Sequence, residues 1–339
     1  MWPSNHGAGI GSCLLILLAA CSSDSASGPD DTDTLPLPSE FLAWAGAVVG
    51  EQGVGTHPEL NTSALEGCPY LSPDGRSLFM ASNRPGGLGG IDIWVATRPT
   101  STGPWGQPVN VGTPVNSAQN DFCPTLGPDG RTFFFVSNRP GGCGGDDIYT
   151  TRRRDDGSFE EPTRLDCQVN SAGNEAGPFL LVGTDAVLYF SSTRVGGLVP
   201  EAAGATTGDA DIYSSTVRGG VFAPAVLVPD VNSAANDLQP NLRRDGLEIY
   251  FASNRTGAPG TLGALGGVDL FAATRAGAAQ PWSTPLNLGP SVNSADGDET
   301  RPSLSWDAMT LYFGSNRPGG EGASDIFVTT RQRRTSAGR

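Results

Sequence analysis

Six-residue apolar runs recur along the chain: SLFMAS (77–82), TFFFVS (132–137), VLYFSS (187–192), EIYFAS (248–253) and TLYFGS (310–315). Each is followed by a second run that opens on Asp: DIWVATR (92–98), DIYTTRR (147–153), DIYSSTV (211–217), DLFAATR (269–275) and DIFVTTR (325–331). These runs are rich in aromatic and β-branched residues, show no helical period, and are too short for helices. They predict strands. A Pro-led stretch precedes each first run: PYLSPDG (69–75), PTLGPDG (124–130), PFLLVGTDA (178–186), PNLRRDG (240–246) and PSLSWDA (302–308). Asp74-Gly75, Asp129-Gly130 and Asp245-Gly246 supply hairpin turns between the Pro-led strand and the run after it. A polar segment with an aromatic and a Pro, such as WGQP (105–108) or WSTP (282–285), completes the unit and leads into VNSA.

Between the two apolar runs lies the turn SNRPGG (82–87, 137–142 and 315–320), varied as SNRTGA at 253–258. Its arginines, Arg84, Arg139, Arg194, Arg255 and Arg317, are spaced by 55, 55, 61 and 62 residues. Self-similarity at such a period, with four short strands per unit, predicts a five-bladed β-propeller. The last unit lacks its aromatic–Pro strand, and FLAWAGAVVG (41–50) supplies one from the other end, followed by LNTSALEG (60–67) in place of VNSA. A strand from one terminus completing the last blade leaves no open edge. Six blades is the alternative, should residues 41–66 form more than one strand. The unit SPDG…SNRPGG…DIW resembles the TolB-type, WD40-like propeller repeat of bacterial envelope proteins, over residues 41–331. That resemblance implies the fold and a place in the envelope but no single function, because such repeats serve many roles.

Three charged positions repeat in every unit. An acid sits three residues before the Pro: Glu66, Asp121, Glu175, Asp237 and Glu299. The turn Arg ends the first apolar run. An Asp opens the second: Asp92, Asp147, Asp211, Asp269 and Asp325. On adjacent antiparallel strands these fall within reach of one another, so each blade is expected to hold an acid–Arg–acid set, the guanidinium clamping both carboxylates. As an alternative, the acids Glu66, Asp121, Glu175, Asp237 and Glu299 would ring the channel mouth and bind Ca²⁺ through oxygen ligands. The stretch between the Arg and the strand-opening Asp is longest in blades three (194–211) and four (255–269), which makes those loops candidates for partner recognition.

The N-terminus adds an address. CLLILLAAC (13–21) has the length of a signal-peptide core and is too short to span a bilayer. It ends in Leu18-Ala19-Ala20-Cys21, which resembles the lipobox of bacterial lipoproteins. The resemblance implies a signal peptide over 1–20 and a lipidated Cys21 on an outer membrane, facing periplasm or exterior. The acidic, Pro-containing stretch 21–40 predicts a flexible tether, and 332–339 a disordered tail. Outside the leader, Cys68, Cys123, Cys143 and Cys167 favour disulfides in an exported protein. Cys68 and Cys123 hold the same position in adjacent blades, and Cys143 and Cys167 share one face, so the pairs Cys68–Cys123 and Cys143–Cys167 are expected among three pairings.

Composition then narrows the chemistry. The net charge is −14, which argues against nucleic acid as a partner. All 21 basic residues are Arg and there are two His, His6 and His57, so lysine Schiff-base and His-triad chemistry are excluded. The repeated acids each bring an Arg that keeps them ionised, unlike a general acid. The expectation is therefore a lipid-anchored, non-enzymatic scaffold with no catalytic residue and no cofactor, binding an envelope protein or cell-wall polymer. The alternatives are a carbohydrate-binding propeller with Trp44, Trp105 and Trp282 as stacking platforms, or a five-bladed glycoside hydrolase working through paired carboxylates.

Overall fold

The computed structural model describes residues 41, 43–49, 60–199, 205, 207–256 and 263–334. The expected leader, the lipidation site Cys21, the tether and residues 335–339 lie outside these. Within them the chain is all-β, without a helix, and forms a five-bladed β-propeller. Blade one comprises Glu66–Leu71, Ser77–Ser82, Asp92–Thr97 and Val109–Asn110, from the axis outward. Blades two and four repeat that four-stranded order, and blade three adds a second short outer strand, Val226–Leu227 beside Val221–Phe222.

Blade five takes its outermost strand from the start of the described chain. Val48 pairs with Val328 and Val49 with Phe327, antiparallel. Asn61 completes the seam, its carboxamide accepting from the Ile326 amide at 2.8 Å and donating to the Ile326 carbonyl at 3.1 Å. The same two-way bond is made between blades by Asn116 on Ile93, Asn170 on Ile148, Asn232 on Ile212 and Asn293 on Leu270. The repeated VNSA thus carries a side chain that imitates one rung of a ladder, and the Asn of LNTSALEG performs the same function at closure. Five blades, not six, close the ring. Arg333, placed in the expected tail, still bridges to Phe41.

Every inner strand is bulged at one register position, between Gly67 and Tyr70, Phe122 and Thr125, Ala176 and Phe179, Leu238 and Asn241, and Thr300 and Ser303. The bulged residues Cys68, Cys123, Gly177, Gln239 and Arg301 all adopt left-handed φ, between 46° and 58°. The recurrent Pro follows each of them, where the ladder is interrupted and a missing N–H costs nothing. Apolar side chains of the two middle strands pack between blades, as in the Phe79–Phe133–Phe159 group, with ring centroids 5.2 and 4.8 Å apart.

Candidate functional site

The charged repeat is resolved residue by residue. Arg84, Arg139 and Arg317 meet Glu66, Asp121 and Glu299 at 3.1, 2.7 and 2.9 Å; Arg194 meets Glu175 at 3.4 Å, and Arg255 pairs with Asp237. Each Arg also bonds the carbonyl of the incoming loop, at Leu60, Val115, Val169, Val231 or Val292. Its Nε donates to the Ser two residues earlier, which in blades one, three and five in turn donates to the acid. The Asn of SNR accepts an amide of the same incoming loop, Leu65 at 2.8 Å and Asp298 at 2.7 Å. The repeated turn is therefore a clasp between one blade and the connection entering it.

Two expectations change here. The Asp opening the third strand does not share the Arg in blades two, four and five. Asp147, Asp269 and Asp325 instead accept backbone N–H groups of the Gly-rich loop, Cys143 at 2.8 Å, Leu265 at 2.6 Å and Glu321 at 3.0 Å. Asp92 and Asp211 likewise hold their loops, through the Leu88 and Leu198 amides. The reason is steric: the loop folds back until a Cβ on Gly87 would lie 2.3 Å from the Asp92 carboxylate, so only glycine fits. The calcium ring also fails to form. The acids Glu66, Asp121, Glu175, Asp237 and Glu299 are fully buried and spent on Ser hydroxyls, loop amides and Arg, and among the described residues no three carboxylate, Cys or His groups converge for a metal. Burial raises the Glu175 and Glu299 carboxyls above their ordinary value, their hydrogen bonds and Arg partners offsetting only part of it.

The cysteines close as Cys68–Cys123 and Cys143–Cys167, the first with Cα atoms 4.8 Å apart across the bulges of blades one and two. Of the expected platforms, Trp105 and Trp282 are buried beneath Arg98 and Arg275, at 4.0 and 4.2 Å, and Trp44 packs edge-on to Tyr250 under Arg331. None of the three offers an open face. The long loops of blades three and four lie partly outside the described residues.

A different tryptophan is exposed. Trp306, 37 % accessible, sits in the inner hairpin of blade five, where blades one, two and four carry Pro73, Pro128 and Arg244. It stands between two recesses on the face of the propeller that carries the Asp-Gly hairpins. One is a groove of ≈ 710 Å³ between blades one and five, lined by Ser72, Asp74, Arg98, Ser305, Trp306 and Asp307 among others. The second, ≈ 200 Å³, covers the mouth of the axial bore and is apolar, with Tyr70, Leu71, Phe179 to Val182, Leu242 and Leu304. The Arg244 guanidinium lies 5.7 Å from the Trp306 ring centroid. Asp74 accepts from Ser72 Oγ at 2.5 Å and from the Arg76 amide at 3.0 Å; Asp307 accepts from Ser305 Oγ at 2.6 Å and from the Met309 amide at 3.0 Å. Burial works to raise the Asp74 carboxyl, but the Ser72 and Arg76 donors and the Arg76 charge outweigh it and hold the group below its ordinary value. An exposed aromatic face beside ionised oxygens is what a polyhydroxylated ring needs, C–H groups on one side and hydroxyls on the other. The sequence signal is the departure of SWDA from the hairpin motif of the other blades.

The fold is shared with known structures. The α-L-arabinofuranosidase of Lactobacillus brevis superposes with a TM-score of 0.52 at 12 % identity, covering 79 % of this chain and 90 % of that one. PaAbf62A, the α-L-arabinofuranosidase of Podospora anserina solved with cellotriose, gives 0.50 at 11 %, covering 88 % and 98 %. TolB of Agrobacterium tumefaciens is also a neighbour, at 0.43 and 16 %, covering 79 % and 84 %. No protein-family model matches the sequence, and no curated protein does. These likenesses establish the five-bladed fold. Several propellers that superpose on most of the chain are glycoside hydrolases, which favours the alternative over the expectation of a non-enzymatic scaffold; at 11–12 % identity the likeness itself is one of fold.

Proposed function

We propose that this chain is a glycoside hydrolase of the five-bladed kind, acting on an arabinose- or xylose-containing polysaccharide held in the groove between blades one and five. The observation that carries this reading is Trp306, exposed at the junction of groove and axial recess with Asp74 and Asp307 in the same groove. A sugar ring stacked on Trp306 would bring its neighbour over the two hairpins. Asp74, kept ionised, suits the base or nucleophile, and Asp307, on the hairpin of the adjacent blade, is the carboxyl group placed to work with it. Among the described residues the acids of the opposite face, Glu66, Asp121, Glu175, Asp237 and Glu299, are each paired with an Arg. The substrate class follows the two arabinofuranosidases that share the fold. The reading includes a lipid anchor at Cys21 that would hold the enzyme in the bacterial envelope, against cell-wall or imported polymer.

The test is release of reducing sugar from arabinan, arabinoxylan and short arabino- and xylo-oligosaccharides by the propeller from residue 41 onward. Turnover should fall at least about 100-fold in Asp74→Asn, far more than in the equivalent hairpin variant Asp129→Asn, which should cost similar stability, and Trp306→Ala should raise KM more than it lowers kcat. No turnover on any of these glycans, with no change in Trp fluorescence on adding them, would end the proposal.

A further inference from the structure

The ring of left-handed residues that narrows the bore is not symmetric in chemistry. Cys68 and Cys123 form the disulfide, Gly177 has no side chain, and the remaining two positions hold Gln239 and Arg301. They line a small recess of ≈ 30 Å³ on the axis, whose lining includes Asn241 and no carboxylate. That volume holds about one water-sized particle.

The polar groups around this cavity are donors. Arg301 Nε is shielded from solvent and has no hydrogen-bond partner, and no acidic side chain pairs with its guanidinium. The Gln239 carboxamide oxygen accepts the Arg301 amide at 3.2 Å, and the Asn241 oxygen accepts the Leu304 amide at 2.9 Å. Each of these inter-blade bonds engages the oxygen of its carboxamide and leaves the NH₂ for the cavity. Three N–H-bearing side chains thus share a space the size of one small particle. Burial is the only influence acting on Arg301, and it lowers its basicity; yet an Arg stays charged under any ordinary condition. A guanidinium whose Nε is shut off from water and unpaired, with no carboxylate in the lining, favours the approach of a counter-charge.

We propose that this cavity is a binding site for a small monovalent anion of the halide class, held by Arg301, Gln239 and Asn241 on the propeller axis. A water molecule could fill the volume but would leave the charge uncompensated, and ≈ 30 Å³ suits a particle of halide size. The site is separate from the groove and carries no step of hydrolysis; its effect is on stability of the ring.

The experiment compares thermal unfolding in sodium chloride, sodium bromide and sodium gluconate at equal ionic strength, for the wild type, Arg301→Met and Gln239→Ala. Chloride and bromide should raise the wild-type midpoint by a few degrees over gluconate, and the rise should vanish in Arg301→Met and shrink in Gln239→Ala. Crystals grown in bromide should show an anomalous peak on the axis beside Arg301, a readout that does not depend on any variant folding. Equal wild-type midpoints in the three salts, or a halide effect retained in Arg301→Met, or bromide-grown crystals with no anomalous peak, would overturn the proposal.

Discussion

The clasp in blade four is the most demanding test of how the ring is held. Asp237→Asn keeps the shape of the side chain and removes its charge. The pair is desolvated: the Asp237 side chain is 0 % and that of Arg255 10 % accessible. Arg255 would retain Ser253 Oγ at 3.0 Å, the Val231 carbonyl at 2.6 Å, and the Phe251 and Phe271 rings at 4.8 and 5.3 Å. It would lose the one group that balances its charge. Removing one partner of a buried pair costs about 3–5 kcal/mol, whereas an exposed pair is worth about 0.2–1 kcal/mol. Arg131–Asp155 provides the exposed comparison, at 2.7 Å with side chains 51 % and 85 % accessible. For a chain of this size each kcal/mol moves the midpoint by roughly 2–4 °C, so Asp237→Asn should lower it by about 6–20 °C and Asp155→Asn by about 0–4 °C. The assay is thermal and urea unfolding followed by circular dichroism, with the disulfides intact. A companion variant carrying both Asp237→Leu and Arg255→Met leaves no lone charge and should recover more than half the loss. If Asp237→Asn costs no more than Asp155→Asn, the clasps are ornamental and the inter-blade Asn bonds must hold the ring instead.

Other expectations follow the same geometry. The disulfides join residues 55 and 24 positions apart. Loop entropy then assigns about 4 kcal/mol to Cys68–Cys123 and about 3.5 to Cys143–Cys167, to be read from urea midpoints of paired Cys→Ser variants. Gly177 has φ 58° and its added Cβ would lie 2.6 Å from Gln239 Cα, so Gly177→Ala should cost about 1–3 kcal/mol; an unchanged midpoint would mean the bulge relaxes freely. Because the folded Glu175 carboxyl titrates above its ordinary 4.5, its contribution is fully present below pH 4.5 and is lost as pH rises through the raised folded value. The wild type should therefore lose stability relative to Glu175→Gln between pH 4 and pH 7, and a gap that widens in the other direction would refute the burial argument. Asp129 is opposite in sign: burial opposes it, but amides of Thr132 and Arg131 hold its carboxyl low. Asp129→Asn should cost stability at neutral pH and progressively less as pH falls through the folded value, measured by the same urea titration.

Much of the architecture was legible because each blade restates it. The alternation of apolar runs with Asp-Gly hairpins marked the strands, and the 55- to 62-residue spacing of Arg84 through Arg317 marked the blades. The Arg–acid contacts were legible too, since neighbouring antiparallel strands place such residues side by side. The partner of Asp92 and its counterparts was not, because it is backbone: the loop amides they hold leave no trace in residue identity beyond paired glycines. Nor could the left-handed ring be foreseen. Only Gly177 betrays that conformation, while Cys68, Cys123, Gln239 and Arg301 adopt it under the compulsion of the bulge and the Pro that follows. Trp306 was hidden for the opposite reason. The hairpin acids beside it recur in blades one, two, four and five, but the aromatic at that position does not.

The seam between the ends has a consequence in time. The outer strand of the last blade, Val48–Val49, leaves the ribosome some 280 residues before Val328, the partner it must meet. A chain emerging in order would hold that strand unpaired, its edge open, until almost everything else had arrived. Arg331 then locks it: stacked 3.8 Å over Phe41 and bonded through both guanidinium arms to Glu248 of the preceding blade, at 2.9 and 2.8 Å. The last strand delivered is thus the one that fastens the first, so a chain cut short before Asp325 would leave Val48–Val49 without its partner and the ring unclosed.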